Sequence, residues 1–306
     1  MDVNIDLPNL LIVGAAKSGT TSLHNYLKQH PSIFMTEHKE PHFLINSQIG
    51  ESRIHNAVVK LDKYKKMFKT QDAYKYKGET SVMYLAFPDF SIHGIKKYLE
   101  KDVKIIILLR NPVERAFSGY LHNLRYNSDE NLNFEEAIQR SEQRYHENIH
   151  ITPDTRYLYI GEYYSQVKAF MRAFKKNVHV ILYDDYVRNI DLCLDNIFDF
   201  LEIEKIKINT SIKYMKGGWL FKYNFIRDLL IPENNLKSLI KNILPNKKLR
   251  QWLKKVVINI TTVNSPELSF IMRDKLQDYY KEDILNLGRL LNKDLSSWIQ
   301  KNNFDC

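Results

Sequence analysis

The chain has 306 residues, of which 44% are hydrophobic, so it is long and apolar enough to fold around a substantial core. Lysine and arginine number 45 against 36 acidic residues, and the resulting net charge of +9 favours anionic ligands. The chain has two cysteines, which argues against a disulfide framework. No apolar run approaches the roughly 20 residues of a membrane helix, and no nucleic-acid-binding motif is present. The polar N-terminus carries no secretory signal, so we expect a cytoplasmic protein without nucleic-acid partners.

The first predicted elements are a strand, a loop of small residues and a helix, which together span Leu10 to Leu27. The apolar run Leu10–Val13 indicates a buried strand, the loop reads GAAKSGTT, and Ser22 opens a helix. In such a loop, successive backbone N–H groups and the positive end of the helix point at a common ligand. The pattern therefore predicts a site for phosphate or sulfate.

The loop is close to the Walker A motif but does not match it. That motif places lysine directly after the last glycine, whereas here Lys17 lies inside the loop, and Thr20 and Thr21 follow Gly19. A lysine in this position still reaches bound anionic oxygens. The displaced lysine makes an ordinary ATPase the less favoured interpretation, and an exposed turn with a solvated lysine is the structural alternative.

A short predicted strand, Ser32–Met35, leads into a charged loop that contains Glu40 and His42. A carboxylate and an imidazole two residues apart, one strand after an anion loop, suit a general base and its support. A solvated charged loop is the ordinary alternative for such a run.

The segments GAAKSGTTSL and HPSIFMTEHKEPHFL resemble the 5′-phosphosulfate loop, and the strand and loop that follow it, of sulfotransferases that use 3′-phosphoadenosine 5′-phosphosulfate (PAPS). The similarity is greatest to the bacterial and heparan-sulfate-type branch. The resemblance implies that Glu40 deprotonates the acceptor, with His42 as its orienting partner or as the base itself. It also implies that loop 14–22 holds the phosphosulfate through Lys17, Ser18, Gly19, Thr20 and Thr21.

Residues 51–70 have the apolar spacing of a helix, with Ile54, Tyr64 and Phe68 near one face. The following GETSVMY segment resembles a family segment in which some heparan-type members carry a catalytic lysine. This chain has Thr80 at that position, which leaves Lys17 as the one cation that the sequence places beside the transferred group.

The most apolar, β-branched run is Asp102–Leu109, as expected for an interior parallel strand. Arg110 follows at its carboxyl end, and Ser118 lies eight residues later in the next helix. An arginine and a hydroxyl together suit a terminal phosphate. The block at 110–120 resembles the 3′-phosphate site of sulfotransferases, and the alternative for Arg110 is an ion pair with Glu114 or Glu135.

A further parallel strand is predicted at Val178–Leu182, and a helix follows with Leu192, Ile197, Phe198 and Leu201 on its apolar side. Asp184 and Asp185 end the strand without the neighbours of a magnesium site, so we expect no metal.

A second glycine-containing loop reads KGG, and it resembles the late loop that folds over the nucleotide in the family. The resemblance implies cofactor contacts from Lys216, Gly217 and Gly218. Residues from about 220 to 260 read as a basic helical flap, which suits a membrane surface, an anionic acceptor or simple packing on the domain. A closing helix is predicted within Ser265–Ile299.

Alternating strands and helices predict a single α/β domain over residues 1–306, with a P-loop-like, mostly parallel central sheet flanked by helices. The resemblance implies sulfuryl transfer from PAPS to a hydroxyl or amine of a saccharide or small molecule, with adenosine 3′,5′-bisphosphate as product. The alternatives are a P-loop kinase that uses Mg-ATP and a non-catalytic protein that binds anions or a lipid surface.

Overall fold

The computed structural model describes residues 7–54, 56–127, 130–212, 214–215, 217–230, 256–258 and 260–300. Its centre is a parallel five-stranded sheet in the order β2-β3-β1-β4-β5. The strands are β1 (Leu10–Gly14), β2 (Ile33–Met35), β3 (Tyr76–Thr80), β4 (Lys104–Leu109) and β5 (Val178–Leu182). This arrangement confirms the predicted fold class.

The sheet is covered on both faces, which is why the interior strands β1 and β4 are nearly continuous apolar runs. Side chains alternate along a strand, so Leu11 and Val13 of β1 enter the core on one face and Leu10 and Ile12 enter the core on the other. β1 is buried at every position. The central strand therefore provides a fixed base for the loop that follows it.

Helices surround the sheet. They are α1 (Thr20–Leu27), α2 (Phe43–Ile49), α3 (Leu61–Lys66), α4 (Met83–Ala86), α5 (Pro88–Tyr98), α6 (Pro112–Tyr126), α7 (Phe134–Gln139), α8 (Ser141–Glu147), α9 (Tyr163–Phe174), α10 (Tyr183–Arg188), α11 (Ile190–Leu201), α12 (Asn224–Leu230) and α13 (Phe270–Leu291). Two antiparallel strands, β6 (Trp219–Phe221) and β7 (Thr262–Asn264), form a separate small sheet. In the part of the chain that the structure describes, no helix is long and apolar enough to cross a membrane.

The order of the strands in the sheet determines where a ligand site can lie. β1 lies between β3 and β4, and the chain crosses from one half of the sheet to the other around it. Loops that leave the carboxyl ends of β1 and β4 therefore emerge side by side, which is where open parallel sheets bind ligands.

The predicted helix over residues 51–70 is wrong. Only Leu61–Lys66 of that segment is helical, and an unpredicted helix, α2, precedes it. Gly50 ends α2 with φ of 98°, a left-handed conformation that favours glycine. Ile54 and Tyr64 are nevertheless buried, so their spacing reflects burial in turns as well as in a helix.

The predicted apolar side of the helix after β5 is wrong at Leu192, which is 54% exposed. The chain breaks between α10 and α11, and the Asn189 side chain caps the new helix by accepting a hydrogen bond from the Leu192 N–H. The restarted helix buries Cys193 and Leu194 in place of Leu192, and it buries Ile197, Phe198 and Leu201 as predicted. Most of the predicted basic flap at 220–260 lies outside the described residues.

Helix α13 is joined to α9 by a carboxylate cap. Asp283 of α13 accepts hydrogen bonds from the backbone N–H groups of Tyr163 and Tyr164 at 2.9 and 3.0 Å. These N–H groups begin α9 and have no partner within that helix. Burial raises the pKa of Asp283 to about 6.

Candidate active site

A cleft of about 760 Å³ opens at the carboxyl ends of β1 and β4. Its size is in the range of small-molecule and cofactor sites. The lining includes Lys17, Glu40, Arg110 and Ser118, which the sequence places in three separate motifs. The structure therefore brings the anion loop, the charged loop and the second strand end into one cleft.

The loop after β1 depends on two glycines for its shape. A Cβ on Gly14 would lie 2.6 Å from the Cβ of Leu85, so no side chain fits there. Gly19 has φ of 90° and begins α1. Thr20 and Thr21 follow and line the cleft together with Gly19. The first turn of the helix thus faces the ligand space, as the sequence predicts.

Lys17 lies at the turn of this loop, with φ of 67°, and lines the cleft. Burial lowers the pKa of its ammonium to about 8, and the positive charge of Arg125 contributes to the shift. Ser18 differs from its neighbours, because its side chain is fully buried and does not line the cleft. Any contact of Ser18 with a ligand is therefore through its backbone.

Arg110 connects the two strand ends. Its Nη1 donates to the carbonyl oxygen of Lys17 at 3.4 Å, and its Nη2 lies 3.8 Å from a Glu114 carboxylate oxygen. The ion pair with Glu114, expected as an alternative, is thus present. However, Glu114 makes a shorter contact of 2.5 Å with Arg273, so this carboxylate is shared. Arg110 and Ser118 both remain in the cleft lining.

The charged loop presents Glu40 to the cleft with His42 behind it. The Glu40 carboxylate lies 2.5 Å from Lys39 Nζ and 3.3 Å from His42 Nε2. Burial acts to raise the pKa of Glu40, but Lys39 and His42 outweigh it and hold the pKa well below its usual range. His42 is 6% exposed and does not line the cleft. Glu40 is therefore ionised and accessible, and His42 is placed to orient it.

A buried carboxylate supports this loop from the side of the sheet. Glu79 of β3 is fully buried and accepts hydrogen bonds from the hydroxyls of Ser81 at 2.7 Å and Tyr84 at 2.9 Å. Those hydroxyls in turn accept the backbone N–H groups of His42 at 3.1 Å and Leu44 at 3.2 Å. Glu79 thereby fixes the backbone that follows Glu40.

The Glu79 carboxylate also accepts a hydrogen bond of 2.5 Å from the Tyr64 hydroxyl of α3. Burial raises the pKa of Glu79, although the three hydroxyl donors act to lower it. A buried carboxylate is costly without partners, and here all its partners are hydroxyl groups of neighbouring elements. The loop that carries Glu40 is thus tied to α3, α4 and β3 at one point.

The basic side chains of His122 and Arg125 on α6 also line the cleft, although they were not among the predicted site residues. His122 and Arg125 follow Ser118 by four and seven positions, so the three share one face of the helix. Burial, with the charges of Lys17 and Arg125, lowers the pKa of His122 to about 3, so the imidazole is neutral. The helical spacing from Ser118 is a signal that could have identified both.

Asp154 is another unpredicted residue of the cleft lining. It lies in a 3₁₀ turn, Pro153–Thr155, and its Oδ2 accepts a hydrogen bond from the Thr152 hydroxyl at 3.3 Å. Burial and the negative charge of Glu40 raise its pKa. Its position in a polar, irregular segment gives no sequence signal of this kind.

The remaining predicted residues fall as follows. Gly217 and Gly218 line the cleft, whereas Lys216 lies outside the described residues. Thr80 is buried, with its hydroxyl 2.9 Å from His24 Nδ1, and so faces the interior. The sequence places Lys17 as the one cation beside the transferred group, but in the structure Lys39 and Arg125 also line the cleft.

The acidic pair after β5 has structural partners. Asp184 accepts a hydrogen bond from the Trp298 indole at 2.8 Å, and Asp185 lies 3.1 Å from Lys293. Among the described residues, no group of three or more His, Cys, Asp or Glu side chains could hold a metal ion.

Comparison with known families agrees with this geometry. Residues 7–288 match the model of the sulfotransferase domain, so the chain belongs to the sulfotransferase family. The predicted family is thereby confirmed, and the P-loop kinase alternative is set aside.

The chain is similar to several individual sulfotransferases. The crystal structure of a sulfotransferase from Alicyclobacillus acidocaldarius superposes with a TM-score of 0.73 at 27% identity, covering 96% of this chain and 99% of that one. Rat carbohydrate sulfotransferase 15 is 24% identical over 64% of this chain and 44% of its own length. Mouse bifunctional heparan sulfate N-deacetylase/N-sulfotransferase 1 is 24% identical over 96% of this chain and 31% of its own length. The chain thus spans less than half the length of these two curated relatives.

Proposed function

We propose that this chain transfers a sulfuryl group from PAPS to a hydroxyl or amine of a saccharide acceptor. The observation that carries the proposal is that one cleft is lined by Lys17, by Arg110 with Ser118, and by the ionised Glu40. A nucleotide with a phosphate at each end of its ribose needs two anion sites, and an acceptor needs a base.

The residues of the cleft fit this donor. Backbone N–H groups of residues 14–21, with Thr20 and Thr21, would hold the 5′-phosphate, and Arg110 with Ser118 would hold the 3′-phosphate. Gly217 and Gly218 have no side chains, so the backbone of the late loop can approach the bound nucleotide closely. When bound, PAPS supplies the activated sulfuryl group.

Glu40 is placed to accept the proton of the acceptor, because its carboxylate is ionised and faces the cleft. His42 orients that carboxylate from behind. Lys17 neutralises the charge that grows on the bridging oxygen of the leaving phosphate. By analogy with phosphoryl transfer, positioning and charge stabilisation supply most of the rate enhancement.

A saccharide is the acceptor class that the relatives support, since one is named a carbohydrate sulfotransferase and another a heparan sulfate N-sulfotransferase. The net charge of +9 also suits an acceptor that carries negative groups. Incubation with labelled PAPS and a panel of sulfated and desulfated oligosaccharides, beside small phenols and amines, tests this choice. Labelling of the small molecules alone would contradict a saccharide acceptor.

Titration calorimetry tests the donor. We expect adenosine 3′,5′-bisphosphate to bind without magnesium and ATP to bind more weakly, because ATP lacks the 3′-phosphate that Arg110 and Ser118 would hold. A clear preference for Mg-ATP would refute the proposal. Equal, weak binding of both nucleotides and of free phosphate would instead support a non-catalytic anion-binding protein.

A further inference from the structure

Arg125 is a buried cation at the cleft whose charge has no counterion among the described residues. It lies in the last turn of α6 and is 4% exposed, yet it lines the cleft. Its Nε donates to the carbonyl oxygen of Leu121 at 2.9 Å. No described carboxylate lies within the 4.0 Å of an ion pair with its guanidinium.

Aromatic rings hold the guanidinium in place without neutralising it. Its central carbon lies 5.5 Å from the ring of Trp219 and 5.9 Å from that of Tyr126. Such contacts favour a cation and limit its rotamers, but they leave its N–H donors unsatisfied. With Nε bonded to Leu121, the two terminal nitrogens remain for a ligand that enters the cleft.

The location of these nitrogens indicates which ligand group they meet. A Cβ on Gly217 would lie 3.8 Å from both Nη1 and Nη2, so the two terminal nitrogens of Arg125, which form the fork of its guanidinium, lie beside the late loop that contains Gly217. Arg125 and Lys17 line the same cleft, and the charge of Arg125 lowers the pKa of the Lys17 ammonium. Two cations that repel each other across a partly buried space are stabilised together when an anion lies between them.

We propose that Arg125 binds the sulfuryl oxygens of the donor, as a second cation opposite Lys17. This inference rests on the proposed function. During transfer, the sulfur–oxygen bond to the 5′-phosphate breaks with its electron pair left on the phosphate, a bond forms from sulfur to the acceptor oxygen or nitrogen, and the acceptor proton passes to Glu40. The Arg125 fork keeps the three sulfuryl oxygens in position throughout, and Lys17 serves the departing oxygen.

A pair of nucleotides tests the contact by binding alone. Adenosine 3′,5′-bisphosphate lacks the sulfuryl group, whereas a PAPS analogue with a methylene in place of the bridging oxygen carries it and cannot transfer it. For Arg125→Gln, we expect unchanged affinity for the bisphosphate and about 10- to 100-fold weaker binding of the analogue by calorimetry. Arg125→Lys keeps the charge without the fork and should recover part of the loss.

The control is Lys168→Gln, which removes a cation from the exposed side of α9 and should bind both nucleotides as wild type does. If Arg125→Gln weakens both nucleotides equally, or neither, the sulfuryl contact is refuted; the second outcome would point to an anionic group of the acceptor. If the wild-type protein binds neither nucleotide, the proposed function itself fails. The melting temperature of each variant separates these results from misfolding, and Arg125→Lys provides the test if Arg125→Gln does not fold.

Discussion

Two groups of cleft residues, named the donor end and the transfer end after their proposed roles, are assembled in different ways. The donor end consists of the loop after β1 and the start of α6 after β4, each of which follows directly from a buried parallel strand. The transfer end consists of Glu40, His122, Arg125 and Asp154, which come from three segments far apart in the chain. Topology and backbone shape define the first end, whereas charges that meet only in the folded protein define the second.

The comparison teaches that binding and chemistry should be separable. In the proposed function, donor-end residues bind phosphates that are present before and after transfer, so their loss should weaken nucleotide binding. Transfer-end residues would act on the moving proton and sulfuryl group, so their loss should reduce turnover with little change in binding of the product nucleotide.

The largest effect is expected for Glu40→Gln. Loss of the base should reduce turnover by about 100- to 10,000-fold, while calorimetry shows unchanged affinity for adenosine 3′,5′-bisphosphate. Glu37→Gln is the matched control, because Glu37 lies on the same loop but is exposed and pairs with Lys28. Wild-type turnover by Glu40→Gln would move the base role to His42 or another group.

A smaller loss, confined to binding, is expected for Arg110→Gln. The affinity for adenosine 3′,5′-bisphosphate should fall by about 10- to 100-fold, because a charge-assisted contact to the 3′-phosphate is lost. Affinity for adenosine 5′-phosphate, which lacks that phosphate, should stay the same and serves as the internal control. An equal loss for both nucleotides would mean that Arg110 acts on the loop through the Lys17 carbonyl instead.

The third effect is a pH dependence of nucleotide binding that involves Lys17. The pKa of this ammonium is about 8 in the free protein, and a bound anion should raise it, so binding takes up a proton near pH 8. Affinity should be full below pH 8 and should fall at higher pH by at most about tenfold per pH unit. Calorimetry in two buffers of different ionisation enthalpy measures the uptake, and Lys17→Arg should abolish it.

The smallest effect is expected at Asp283, which lies outside the cleft. It distinguishes a change in the stability of the fold from a change in nucleotide binding. The pKa of Asp283 is raised from its ordinary value of 3.8 to about 6, so the folded state holds a proton that the unfolded state releases. Stability should therefore fall as pH rises from about 4 to 6, by about 1 kcal/mol after allowance for solvent screening. Asp283→Asn keeps an acceptor for the Tyr163 N–H and should flatten this slope in urea titrations without changing nucleotide affinity. A slope equal to that of wild type would assign the pH dependence to other groups.

The donor end was predictable because its signals are local. A buried apolar run followed by GAAKSGTT, and a second run followed by an arginine and a serine in a helix, specify both strand ends and the loops on them. The strand Val178–Leu182 was predicted with its bounds for the same reason. The family and fold class are confirmed, whereas the single-domain assignment and the roles of the site residues stay predictions.

The transfer end was only partly predictable. Glu40 came from a resemblance, and His122 and Arg125 could have been inferred from their spacing to Ser118. Asp154 gave no such signal, because it reaches the cleft through packing of an irregular segment. The charge environment was invisible in the sequence: the lowered pKa of Lys17 depends on Arg125, which lies on another element.

The Glu79 contacts carry a consequence for amide hydrogen exchange. The N–H groups of His42 and Leu44 are bonded to hydroxyls whose other partner is the fully buried Glu79 carboxylate of β3, so their release requires disruption of these buried contacts. These two amides should exchange as slowly as those of β3, although they lie beside an open cleft. The loop that carries Glu40 is therefore ordered before any ligand binds. No binding energy of the donor or the acceptor is then lost in ordering this loop.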